Sequence, residues 1–298
     1  MADINNQLIK QVLGFEVDQK LNCDSLGMIM DHSKTNMLSF LDDAKFAGEL
    51  NNNNNISAVL VSEQLNVMVS SSHIQKIICD DPRYCYYTLF NYLNRQNYKE
   101  WDSQVHPTAK IDTRASISQY NVSIGENVVV EANVVIFPDV SIGANSIVRA
   151  GSILGSEGYE HKRTSKGILS IFHDGKLVIG EHVIIGATNI IDKGFSDRNT
   201  EVGDHTKCNS FVFIGHCAHI KKRCLVGVGA IVTGSSTIED DVWIGPRATI
   251  SNHVNVGSGA RVTMGSVVTQ NVEPGGHVTG NFAIDHEKFI KFVKSIRE

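Results

Sequence analysis

Residues Val202–Val268 read VGDHTKCNSFVFIGHCAHIKKRCLVGVGAIVTGSSTIEDDVWIGPRATISNHVNVGSGARVTMGSVV. An aliphatic-type side chain falls at every sixth position: Val202, Cys208, Ile214, Ile220, Val226, Val232, Ile238, Ile244, Ile250, Val256, Val262 and Val268. Six is neither the period of about 3.6 of an amphipathic helix nor the period of 2 of a half-buried strand. It fits a chain wound into flat three-sided coils, each side sending one residue inward. Repeats of this kind decide an architecture before local propensities do. The same beat runs earlier, through Ile124, Val130, Ile136, Ile142, Val148 and Leu154.

Three sides of six residues predict that residue n lies under residue n+18, one strand spacing of about 4.8 Å away. The coils are expected over residues 104–280, with Val105, Ile111 and Ile117 as the first inward positions. Two breaks interrupt them, a long excursion at Gly155–Lys176 and a slip of one residue within Lys193–Glu201. Loops on a rigid scaffold are where sites concentrate.

Residues 1–103 lack the beat and read as a small α/β domain. A helix is expected at Asn6–Leu13, strands at Ile56–Val61 and Lys76–Cys79, and a second helix from Asp81-Pro82 through Leu93. Asp caps the free amides and Pro suits the first helical position. The tract Asn51–Asn55 reads as a mobile loop tip. In residues 281–298, Phe289, Phe292, Val293 and Ile296 have helical spacing and are expected to cover the open end of the coils.

A net charge of -5 and a pI near 6.2 argue against a general nucleic-acid binder. No apolar run reaches the roughly eighteen residues of a membrane span, so no stable membrane insertion is expected. The opening MADINNQLIK lacks the layout of a signal peptide, and the six cysteines form no CxxC pair. A cytoplasmic protein without structural disulfides is expected, with Cys208 a small buried hydrophobe.

The segments LSFLDDAKFAGEL, AVLVSEQ, DDPRYCYYTLFNYL, HPTAKID, GSEGY, VIGEHVIIGATNIIDKG, IGHCAHI, VTGSSTI and ISNHVNV occur in that order. Together they resemble the UDP-3-O-acylglucosamine N-acyltransferases of lipid A biosynthesis and relatives acting on nucleotide-linked amino sugars. The resemblance implies a left-handed parallel β-helix of hexapeptide repeats, with the small N-terminal α/β domain and a short C-terminal helix. It also implies a homotrimer with sites between neighbouring subunits, and no required metal.

Acyl transfer from a thioester to an amine needs a base for the nitrogen's proton and donors for the carbonyl oxyanion. His216, in Ile214-Gly215-His216-Cys217, matches the family's base. Gly234 lies eighteen residues on, so its backbone amide is expected beside His216 as the oxyanion donor. His253 follows about one level further and matches a second family histidine; a solvated turn histidine is the competing reading. Asn209, Asp192 and Lys193 match family residues near the sugar. Asp192 and Lys193 equally suit a turn-stabilising pair.

The resemblance assigns Phe40 and Phe46 to stacking on the acceptor's base, although both also suit an ordinary core. Asp43 stands where the lipid A enzymes have asparagine, and a carboxylate only accepts hydrogen bonds, so the base is left open. The excursion carries Tyr159 in GSEGY, and then His161, Lys162, Arg163, Lys166, His173 and Lys176. A cationic loop suits a diphosphate, and a solvated basic loop competes with that reading. A short tail after Ala283 favours a short acyl-CoA, acetyl in the simplest case, over acyl carrier protein. The basic turn Lys221-Lys222-Arg223 is the candidate contact for a CoA phosphate.

The leading expectation is an N-acyltransferase for a nucleotide-diphospho-amino sugar, serving lipopolysaccharide, O-antigen or another surface glycan. The alternatives are the lipid A enzyme with acyl carrier protein, a non-enzymatic nucleotide-sugar binder, and a zinc β-helix hydratase. The last would use His216 and His219 with His182 or His205.

Overall fold

The computed structural model describes residues 3–280 and 285–296. The chain divides into two compact units, Met1–Lys99 with Glu160–Phe172, and Glu100–Tyr159 with His173–Glu298.

The larger unit is the left-handed parallel β-helix. Three sheets form its sides. The first runs from Gln104–Val105 to Asn255–Val256, the second from Lys110–Ile111 to His277–Val278, the third from Ser116–Ile117 to Val267–Val268. Successive coils pair in parallel at the predicted step, as in Ile220↔Ile238, Val226↔Ile244 and Val232↔Ile250. Every residue of the six-residue beat, from Ile124 to Leu154 and from Val202 to Val268, is buried in one continuous core. Most sides also bury a second apolar residue two positions before the beat, such as Val128, Val134, Val212 and Ala230. A one-residue shift of register would turn that apolar area to water.

The corners explain what stands between the beats. Each turn needs a residue in the left-handed backbone region, which asparagine tolerates better than most side chains. Asn121, Asn127, Asn133 and Asn145 fill the early corners at φ 60, 54, 57 and 59°.

The two breaks behave differently. Across the excursion, Ile142 pairs with Ile179, and the chain between carries an antiparallel hairpin, His161–Thr164 with Gly167–Ser170. That hairpin groups with the smaller unit rather than with the coils. The second break is larger than the beat implies. The step from Ile179 to Val202 is 23 residues against 18 from Val202 to Ile220, so five residues are inserted.

The smaller unit has a four-stranded parallel sheet in the order Ser25–Leu26, Met37–Leu41, Ile56–Val61, Gln75–Ile78. Helix α1 spans Asn6–Leu13, α2 Ala47–Asn52 and α3 Pro82–Asn97. The Asp81 carboxylate accepts the Tyr84 amide at 2.9 Å and so starts α3 as expected. The asparagine tract is not a mobile tip. Asn53 is buried and donates to the carbonyls of Ile29 and Asp31, while Asn51 accepts the amides of Ser70 and Ser71. These side chains satisfy backbone groups of two separate loops, which is why low complexity here does not mean disorder.

The C-terminal helix, α4 (His286–Ser295), has the expected spacing but no buried residue. Phe289, Phe292 and Ile296 are exposed, so the expected covering of the coil end is not made by its described residues. All six cysteines are free, and burial pushes the Cys208 thiol up to about 12.

Candidate functional site

One corner of the coils gathers the chemistry. Strand Phe213–Ile214 ends on the third side and strand His219–Ile220 begins the first. Between them Cys217 takes the left-handed turn at φ 56°, with its amide held by Thr200 Oγ1 at 2.8 Å. His216 is thereby fixed at the edge, half-buried. The Ser235 amide donates to the His216 carbonyl at 2.9 Å and locks the next coil above it.

Gly234 lies against the His216 ring. A Cβ on Gly234 would stand 2.7 Å from Cε1 and 2.8 Å from Nε2, so only glycine lets the two approach. Among the described residues the Gly234 amide donates to no acceptor, whereas the amides on either side do, Thr233 to Ile250 and Ser235 to His216. His253 follows on the same corner, exposed, at φ 61°, its amide donating to the Gly234 carbonyl at 3.4 Å.

Three further residues wall in the imidazole, and only the first of them stood out in the sequence, in another role. His173 is not part of a solvated basic loop: it is 1% exposed, with its ring centroid 6.1 Å from that of His216. Its Nε2 accepts the Gly158 amide at 3.1 Å, so that nitrogen carries no proton. Phe195 is buried with its centroid 5.2 Å from His216. Gly158, in the GSEGY turn, packs so closely that a Cβ there would lie 2.7 Å from His216 Cδ2. The six-residue beat does not point to these residues, because the excursion and the five-residue insert place them.

Asp192 and Lys193 do not pair with each other. Lys193 Nζ donates to Asp139 Oδ2 at 2.9 Å in a buried ion pair, and Asn121 donates to the other Asp139 oxygen at 3.1 Å. Asp192 is buried with its carboxylate accepting the Ser156 hydroxyl at 2.7 Å, and burial pushes its carboxyl up to about 6.

Other candidates lie elsewhere. Asn209 stands at a different corner from His216 and lines a shallow concavity of about 490 Å³ with Ile184, Leu225 and Trp243. Tyr159 is 86% exposed. Each member of the basic turn already faces a carboxylate that a phosphate would have to displace: Lys221 with Glu201, Lys222 with Asp204, Arg223 with Asp240 and Asp241. His182 and His205 stack on each other at 4.9 Å on a corner other than that of His216, so within one chain they do not complete the zinc set of the hydratase alternative.

In the smaller unit Phe40 is buried 4.7 Å from Tyr86 and 5.7 Å from Tyr87, in an aromatic core. This corrects the expectation of a free ring face. Phe46 is half-buried, and the Lys45 ammonium lies 4.8 Å from its centroid. Asp43 accepts the Lys45 amide at 3.0 Å and pairs with its ammonium at 2.8 Å, which holds the carboxyl below its ordinary range.

Residues 121–156 match the bacterial transferase hexapeptide model, six repeats, and residues 235–270 match the hexapeptide repeat of succinyl-transferase. The chain is 30% identical over 139 residues to a UDP-3-O-acylglucosamine N-acyltransferase of Methylorubrum extorquens (strain PA1), covering 47% of this chain and 39% of that protein. It is 28% identical over 230 residues to the protein of the same name in Coxiella burnetii (strain Dugway 5J108-111), covering 67% of this chain and 65% of that one. The chain thus spans less than two thirds of the length of these relatives. A crystal structure of a UDP-N-acetylglucosamine acyltransferase superposes with a TM-score of 0.44 at 22% identity, covering 66% of this chain and 82% of that one. With beat, coils and both matches in agreement, the chain carries hexapeptide repeats of the kind found in bacterial transferases, on residues 121–156 and 235–270 of its coils.

Proposed function

We propose that this protein is an N-acyltransferase that moves a short acyl group, acetyl in the simplest case, from acyl-CoA to the amine of a nucleotide-diphospho-amino sugar. The product would serve lipopolysaccharide, O-antigen or another surface glycan, made in the cytoplasm. The reading is carried by the stacking of His216 on Gly234.

The neutral amine attacks the thioester carbonyl. His216 takes the proton that the nitrogen sheds, and the Gly234 amide meets the oxygen as it becomes an oxyanion. Collapse of the tetrahedral intermediate breaks the C–S bond, and His216 returns the proton to the departing thiolate. The walls made by His173, Phe195 and Gly158 exclude water from one side of the imidazole. Asp192, with Ser156 on one oxygen, keeps acceptor capacity for a sugar hydroxyl or for the amine as it docks.

Asn209 stands on a different edge from His216. In this reading a neighbouring copy brings its Asn209 to the His216 edge, which makes the working form a homotrimer with one site per interface. Phe46 and Asp43 remain the candidate base contacts. Asp43 would have to share its carboxylate with Lys45.

A second reading is favoured by the names of the sequence relatives: a UDP-3-O-acylglucosamine N-acyltransferase that takes a long hydroxyacyl chain from acyl carrier protein. The exposed face of Phe289, Phe292 and Ile296 on α4 is consistent with it. One purified sample assayed with acetyl-CoA and with long-chain acyl carrier protein, against UDP-, dTDP-, GDP- and CDP-amino sugars, separates the two. Turnover with neither donor contradicts both.

A further inference from the structure

The five-residue insert after Asp192 builds a rigid loop whose segment beyond Phe195 the acyl-transfer chemistry leaves without a task. The loop is fixed from below. The half-buried Asp174 carboxylate accepts the amides of Ser196 at 2.5 Å and Asp197 at 3.3 Å. Those two residues sit consecutively in the left-handed region, at φ 58 and 57°, a conformation that side chains adopt only when held. The Arg198 carbonyl is packed into a slot made by two glycines. A Cβ would lie 1.8 Å from that oxygen on Gly194 and 2.1 Å from it on Gly175.

The loop delivers Arg198 to the His216 edge. Its guanidinium carbon lies 5.1 Å from the centroid of Phe195, a ring that also neighbours His216 at 5.2 Å. Its Nη1 donates to Ser235 Oγ at 3.4 Å, and Ser235 follows the Gly234 amide. Arg198 is exposed, and among the described residues no carboxylate forms an ion pair with it. That separates it from Lys193, Lys221, Lys222 and Arg223, each of which is already neutralised. A guanidinium laid over a ring keeps its planar fork open to a bidentate oxyanion.

We propose that Arg198 is the phosphate-binding residue of this site, taking a phosphate-ester oxygen of a substrate bound beside His216. The role expected of the 221–223 turn thus passes to the inserted loop. The ligand is either the diphosphate of the acceptor or a phosphate of the CoA donor, the chemistry being shared. The proposal rests on the acyl-transfer reading for the identity of these ligands.

The test is binding, not turnover, so the two readings fail separately. UDP, dTDP, GDP and CoA are titrated calorimetrically into the full-length wild type, Arg198→Gln and Arg198→Lys. The exposed site predicts unchanged thermal midpoints for both variants. Loss of a charge-assisted pair predicts an affinity about tenfold to a hundredfold weaker in Arg198→Gln, with a flatter salt dependence and only partial recovery in Arg198→Lys. Loss confined to the nucleoside diphosphates assigns the acceptor, and loss confined to CoA assigns the donor. Equal affinities in wild type and Arg198→Gln, or no binding of any probe by the wild type, overturn the proposal.

Discussion

Gly234 and His216, eighteen residues apart, meet so closely that a Cβ on the first would lie 2.7 Å from Cε1 of the second. Gly234→Ala must therefore push the imidazole aside while leaving the backbone intact. The φ at 234 is not among the left-handed values, so the chain itself tolerates alanine. A kcat reduced about a hundredfold is expected, the scale of a displaced base or a lost oxyanion donor, with a melting shift of a few degrees. Steady-state kinetics and a thermal melt check it. Unimpaired kcat would separate Gly234 from the chemistry.

Asp192 makes stability depend on pH. Its carboxyl is raised from 3.8 to about 6 by burial, so the folded state holds the proton more tightly than the unfolded chain. Stability is greatest below the unfolded value, falls as pH rises through that interval, and levels off above about 6. The two-unit shift is worth on the order of 3 kcal/mol. Asp192→Asn should leave stability unchanged near pH 4 and raise it at pH 7.5, measured by urea unfolding at both. An equal effect at the two pH values would contradict the raised pKa.

Lys193 and Asp139 form a buried pair whose separation in sequence is 54 residues. Removing one charge strands the other away from water. Lys193→Met should cost about 3–5 kcal/mol by denaturant unfolding, and the double variant Lys193→Met with Asp139→Asn should recover a large part of that. Additive losses would show that the pair does not act as a unit.

Asn53 ties two carbonyls of one loop from within the asparagine tract. Asn53→Ala should cost about 1–3 kcal/mol, the desolvation cost of acceptors left bare. Asn54→Ala, one residue along at an exposed position, should cost almost nothing. The comparison is read from urea midpoints, and equal effects would restore the view of the tract as a loop tip.

The parts of the fold that a short period records were legible in advance. Val202 through Val268 point inward because the six-residue beat is itself a list of inward positions, and His216 with Gly234 followed from the step of eighteen. What depended on the breaks was not. The register across the excursion and the insert departs from eighteen, so nothing in the spacing joined Lys193 to Asp139 or brought His173, Phe195 and Arg198 to the His216 corner. Motif matching placed Phe40 in a ligand role where packing puts it in a core of tyrosines. The basic turn at 221–223 looked open only because the carboxylates that neutralise it sit on neighbouring coils.

The central claim is that the imidazole at the Gly234 corner is the base for acyl transfer. The direct measurement is kcat for His216→Ala with a nucleotide-linked amino sugar and an acyl thioester that the wild type turns over, alongside a thermal melt. The account predicts a kcat lower by about two orders of magnitude or more with a near-native melting midpoint. Turnover at the wild-type rate would contradict it.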